Sequence, residues 1–126
     1  MRAVLDTSVL VATDIAEIEG ELAISAISLA ELHFGTLVTA KAEVRAERLR
    51  RLAFIVGHFD ALPVDDRVAA SYGELAAIVA RNGRSPRARS NDLLIAATAH
   101  AHGARLCTRN PADFAGLEHA LDLLVV

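Results

Sequence analysis

The rhythm of its apolar residues constrains this chain most. Short strand-like runs recur at about residues 2–6, 22–25, 61–64, 105–108 and 121–126. Between them lie stretches with helical apolar spacing. These run from Thr7, which is placed to cap its helix, from Ser28 to Val38, from Lys41 to about Gly57, from Asp65 or Asp66 to about Asn82, and from Asn91 to His102. Val68, Tyr72, Leu75, Ala76 and Val79 share one face of the fourth helix. Short apolar strands that alternate with helices predict an α/β fold whose parallel sheet is covered on both faces. Apolar residues form 53% of the chain but aromatics only 4%, so the core must be built from Ala, Val, Leu and Ile. With 126 residues and no repeat or linker, a single domain spanning 1–126 is expected.

Several classes are disfavoured. Cys107 stands alone, which rules out an internal disulfide and a cysteine-based zinc site, and its apolar surroundings suit a buried small side chain. No stretch approaches the ~20 uninterrupted apolar residues of a membrane span, and no signal segment opens the chain, so a cytoplasmic location is expected. The five histidines show no ligand spacing; His100 and His102 point to different helix faces. Net charge is −3, but twelve of the thirteen cations are Arg, Lys41 being the exception, and Arg suits bidentate phosphate contacts.

One residue does not fit its run. In AVLDTSVLV, Asp6 interrupts the most hydrophobic stretch, where the first strand gives way to a helix. Capping that helix is one explanation. Glu31 in SLAELHFG fits a capping box with Ser28. Asp92 in NDLLIAATA lies at the start of a helix, on the side of Ile95, Ala96 and Ala99, where the dipole favours an acid. Asp113 in TRNPADF follows an Asn-Pro helix start. Each explanation suffices singly. Yet all four acids fall where a strand yields to a helix or in a first turn, and in a parallel sheet those places share one edge, where ligands bind. Crowded carboxylates repel and call for a counter-charge. A hard divalent cation such as Mg²⁺ or Mn²⁺ would supply it and would activate water beside a phosphoryl group.

Taken in order, VLDTSVL, ISLAELHFG, NDLLIAATA and TRNPADF resemble the four acidic motifs of PIN-domain ribonucleases, and within them the VapC toxins of bacterial toxin–antitoxin pairs. The resemblance covers essentially the whole chain. It implies an α/β/α sandwich with a central, mostly parallel five-stranded sheet. It implies endonucleolytic RNA cleavage by a metal-activated water, with Asp6, Glu31, Asp92 and Asp113 as the catalytic set around Mg²⁺ or Mn²⁺. Asp6 and Asp92 would ligate the ion directly. Asp113 and Glu31 would hold metal-bound waters or a second ion. Ser8, Thr108 and Asn110 would orient the carboxylates, Ser8 standing where many relatives carry Asn. The resemblance further implies a VapB-type antitoxin partner, a homodimer, and operator DNA binding only as the toxin–antitoxin complex.

Arg81, Arg84, Arg87 and Arg89 fall within nine residues that lack an acid and lead into Asp92. Arg84, Arg87 and Arg89, with Arg109, are the candidate RNA-phosphate contacts. Arg45, Arg48, Arg50 and Arg51, interspersed with Glu43 and Glu47, read as a salt-bridged helix face; Leu49, Leu52 and Phe59 would alternatively line an antitoxin groove. Two other classes compete. A phospho-acceptor signalling domain would need a lysine after its last strand, and Lys41 is misplaced for that. A binding module without turnover would not need all four acids.

Overall fold

Among the described residues five strands, all parallel, form one sheet in the order β3-β2-β1-β4-β5. In this computed structural model, which describes residues 2–14 and 17–126, the strands are β1 (Arg2–Leu5), β2 (Glu21–Ser25), β3 (Asp60–Leu62), β4 (Arg105–Thr108) and β5 (Leu123–Val125). The helices are α1 (Thr7–Leu10), α2 (Ala26–Val38), α3 (Ala42–His58), α4 (Asp66–Arg81) and α5 (Ser90–Ala101). Short 3₁₀ turns cover Pro86–Arg89 and Pro111–Phe114.

β1 lies at the centre, and its alternating side chains feed two cores. Val4, with Leu106 of β4, packs on Val68, Leu75 and Val79 of α4 and on Leu93, Ile95 and Ala96 of α5. Ala3 and Leu5, with Cys107, pack on Val9 and Leu10 of α1 and Ile55 of α3. A strand buried on both faces reads as a continuous apolar run, as Ala3-Val4-Leu5 does. The predicted α/β/α layering holds, and Cys107 is fully buried as expected. Among the described residues, no helix is long and apolar enough to cross a membrane.

From β1 the chain builds outward to β2 and β3, then returns to the other side of β1 to make β4 and β5. The direction of winding therefore reverses between β1 and β4, whose ends are in register at Leu5 and Cys107. Such a reversal opens a crevice at the carboxyl ends of the strands.

Three local expectations are corrected. α2 starts at Ala26, because Ser25 ends β2 and at once accepts from the Ile27 amide at 3.1 Å. Ser28 is consequently fully buried inside the helix and Glu31 lies beyond the first turn, so no Ser28–Glu31 capping box exists. α3 runs through Gly57 to His58: the Phe59 amide still bonds Ile55, and extended Phe59 leads straight into β3 without a left-handed residue. The arginines of α3 do not form the expected ion pairs among the described residues. Arg45, Arg48 and Arg51 instead donate to the carbonyls of Thr39 (2.7 Å), Gly35 (2.7 Å) and Leu10 (2.9 Å). Late carbonyls of a helix lack internal partners, and a nearby guanidinium satisfies them. Of the apolar positions on α3, Leu52 and Ile55 are buried, whereas Leu49 and Val56 face solvent.

Candidate active site

Asp6 leaves the end of β1 with its amide still paired to the Cys107 carbonyl at 3.0 Å. Its extended backbone makes it the N-cap of α1, and its Oδ1 accepts from the Val9 amide at 3.3 Å. The same oxygen accepts from the Ser8 hydroxyl at 2.5 Å. The Ser8 oxygen in turn accepts from the Arg109 amide at 3.0 Å and lies 3.5 Å from Thr108 Oγ1. Thr108 Oγ1 accepts from the Asn110 amide at 2.9 Å. A chain of hydroxyls therefore ties the ends of β1 and β4 together and fixes Asp6, which is only 5% exposed. A carboxylate this deep is tolerated only because donors face it.

Three more acids arrive from other segments. Glu31 projects from α2, and the Thr7 hydroxyl donates to its Oε1 at 2.6 Å while lying 3.1 Å from Ser28 Oγ. Asp92 stands in the first turn of α5. Asp113 comes from the 3₁₀ turn after β4 that Pro111 opens. Asp6, Glu31, Asp92 and Asp113 line one cleft of about 240 Å³ together with Thr7, Ser8 and Asn110. The cap at Asp6 and the first-turn placement of Asp92 exist alongside this convergence, whereas the capping role expected of Glu31 does not.

The electrostatics follow from the crowding. Burial raises the Asp92 carboxyl above its usual range, and the charges of Asp113, Glu31 and Asp6 raise it further, against the lowering effect of Arg89. Arg89 Nη1 lies 2.5 Å from Asp113 Oδ1 and 3.6 Å from Asp92 Oδ2. Three groups hold the four acids: Ser8 holds Asp6, Thr7 holds Glu31, and Arg89 is shared by Asp113 and Asp92. Among the described residues no three acidic, His or Cys side chains stand drawn together as a ready chelating set. The donors facing the cleft are nonetheless all oxygen, carboxylate above all, which is the chemistry that Mg²⁺ and Mn²⁺ take and that soft metals do not.

The candidate RNA contacts divide. Arg89 lines the recess beside the cleft and turns its guanidinium onto two of the cleft acids, Asp113 and Asp92. Arg109 turns outward to Asp14 at 2.5 Å, which holds the Asp14 carboxyl below its usual range. Arg84 lines an adjoining recess of about 250 Å³ with Ser85, Arg89 and Asp113. Arg87 is exposed and unpaired among the described residues. Thr7 and Ser28 were not anticipated as site residues; only the adjacency of Thr7 to Asp6 hinted at the first, and a buried hydroxyl on α2 gives no signal in sequence.

A five-stranded parallel sheet with an acidic cleft at its reversal point defines a PIN domain, and the pattern of that family matches residues 3–118: the chain belongs to the PIN domain family. Within it, the chain is similar to Ribonuclease VapC5 of Mycobacterium tuberculosis (strain ATCC 25618 / H37Rv), at 39% identity over 129 residues, covering 98% of this chain and 93% of the relative. Its fold matches the crystal structure of VapBC-5, a member of the VapBC family of toxin–antitoxin systems from Mycobacterium tuberculosis, with a TM-score of 0.85 and 37% identity over 99% of this chain and 97% of that one. VapBC2 from Rickettsia felis, solved bound to a DNA fragment from its promoter, matches with a TM-score of 0.81 and 25% identity over 100% and 99%. FitAcB from Neisseria gonorrhoeae, at 23% identity over 97% and 96% and a TM-score of 0.77, shares the fold.

Proposed function

We propose that the protein is an Mg²⁺- or Mn²⁺-dependent endoribonuclease, the toxin of a VapBC-type pair, with residues 1–126 acting as one catalytic domain. The observation that carries this reading is the meeting of four carboxylates, from β1, α2, α5 and the turn after β4, in one cleft. Asp6, Asp92 and Asp113 would hold the cation, whose chemistry is to lower the pKa of bound water and to neutralise charge on a phosphate. Ser8, through its bonds to Asp6 and the Arg109 amide, keeps the first of these carboxylates aimed. Glu31, steadied by Thr7, accepts the proton of the attacking water. Asn110, at the cleft wall, donates to a phosphate oxygen. Arg84 and Arg87 bind flanking phosphates, where charge-assisted contacts position the strand without reading its sequence.

The structural relatives that are toxin–antitoxin complexes, one of them on promoter DNA, support a VapB-type antitoxin that restrains the enzyme. Exposed Phe34 and Leu37 on α2 and Phe54 on α3 offer apolar area to a protein partner. On this reading the toxin is a homodimer, acts in the cytoplasm where RNA is found, and meets operator DNA only within the complex. The test is incubation of antitoxin-free protein with structured RNA. Fragments should form with Mg²⁺ or Mn²⁺ and stop forming with EDTA; cleavage that EDTA leaves untouched would overturn the reading.

A further inference from the structure

Arg89 is placed by the sequence itself against the acids. It occupies the position just before α5, and Asp92 follows three residues later on the same helical turn. The 3₁₀ turn Pro86–Arg89, opened by proline, sets its backbone, and its side chain makes no helix-capping bond. The guanidinium reaches instead across to Asp113 on a separate element, at 2.5 Å, while staying 3.6 Å from Asp92. One cation thus bridges two carboxylates that belong to different parts of the chain. The neighbouring arginines, Arg81 at the end of α4 and Arg84 and Arg87 beyond it, pair with none of the cleft acids among the described residues. Arg109 is engaged by Asp14.

We propose that Arg89 is a built-in counter-ion that competes with the divalent cation for Asp92 and Asp113, so that the chain restrains its own metal site. The inference rests on the hydrolytic reading above and adds a regulation to it. A guanidinium and a metal ion cannot both lie against the same carboxylate oxygens, since they need the same lone pairs and repel one another. The Arg89 side chain is 48% exposed, with Asp113 at 32% and Asp92 at 33%, so water and salt screen the pair. It is therefore a weak lock, one that offsets the charge of the two acids and yields to a divalent cation. Once released, the guanidinium lies at the cleft wall, beside the recess that Arg84 lines, where it meets RNA phosphate.

The test is calorimetric titration of Mn²⁺ into the metal-free full chain, without RNA, for the wild type, Arg89→Gln and Arg87→Gln. Arg87→Gln removes the same charge two residues away, from a side chain that pairs with no acid of the cleft. Arg89→Gln should bind Mn²⁺ about five-fold more tightly than the wild type, which is about 1 kcal/mol at 1.4 kcal/mol per tenfold. Arg87→Gln should stay within about two-fold. In EDTA, Arg89→Gln should melt below the wild type, and saturating Mn²⁺ should abolish that gap. Equal or weaker binding by Arg89→Gln, or equal tightening in both variants, would overturn the role of Arg89 and leave the metal site standing. If neither the wild type nor any variant bound Mn²⁺, the hydrolytic reading itself would fall.

Discussion

Ser8 donates its hydroxyl proton to Asp6 Oδ1 at 2.5 Å, and the Arg109 amide donates to the same Ser8 oxygen at 3.0 Å. One small side chain therefore fixes the carboxylate at the end of β1 and fastens it to the end of β4. Ser8→Ala should lower single-turnover RNA cleavage by about 10–100-fold, the usual cost of losing a partner that orients a ligand. It should also cost about 1–2 kcal/mol in urea unfolding, because the amide of Arg109 loses its acceptor. Unchanged cleavage would show that Asp6 needs no such support.

Thr7 performs the parallel task for Glu31 at 2.6 Å. Thr7→Val keeps the shape and removes the donor. Cleavage should fall about 10–100-fold while stability changes by roughly 1 kcal/mol or less, since Thr7 is only half-buried. A variant as active as the wild type would separate Glu31 from proton transfer.

Asp92 carries the pH prediction. Burial, then Asp113, Glu31 and Asp6, raise its carboxyl despite Arg89. A raised acid binds its proton more tightly when folded, so its contribution is fully present below the unfolded value of ~3.9 and is lost as pH rises through the folded one. In EDTA, Asp92→Asn should therefore be more stable than the wild type at neutral pH, with the gain shrinking as pH falls past the carboxylate range. Denaturant titrations across pH would measure this. A gain that grew toward low pH would contradict the sign.

Gly116 has a φ of 89°, and a Cβ there would stand 2.6 Å from Asn82 Nδ2. Gly116→Ala should cost about 1–2 kcal/mol by thermal or urea unfolding. Adding Asn82→Ala should recover only part of that, because the clash is with the end of a side chain while the backbone strain remains. Full recovery would mean that sterics alone hold the position.

The frame and the acids were readable because local rules decide them. Ala3-Val4-Leu5 is apolar on both faces, and Asp6 is the one residue there that a core strand would not choose. The sequence leaves Asp65 and Asp66 as alternative caps of α4, and it is Asp65 that accepts from the Val68 amide, at 3.0 Å. What escaped depends on pairs distant in the chain. Thr7 meets Glu31 across 24 residues, and Arg109 meets Asp14 across 95. Glu31 looked like a capping acid because Ser28 precedes it by three, yet Ser25, at the end of β2, had already capped the helix. The contact of Arg89 with Asp113 was not legible either, because sequence shows charge but not which way a guanidinium turns. Arg48 and Arg51 looked like partners of helix acids, and carbonyls of α2 and α1 claimed them instead.

Single-turnover cleavage of one structured RNA by Asp6→Asn, Glu31→Gln, Asp92→Asn and Asp113→Asn, with melting curves in EDTA, tests the shared cleft most directly. Each variant should remain folded and lose at least about 100-fold in rate, and the losses should not add when two substitutions are combined, because the four groups act as one unit. If any one of these carboxylates could be neutralised with full cleavage retained, or if the double variants multiplied their single losses, the four acids would not constitute one hydrolytic centre.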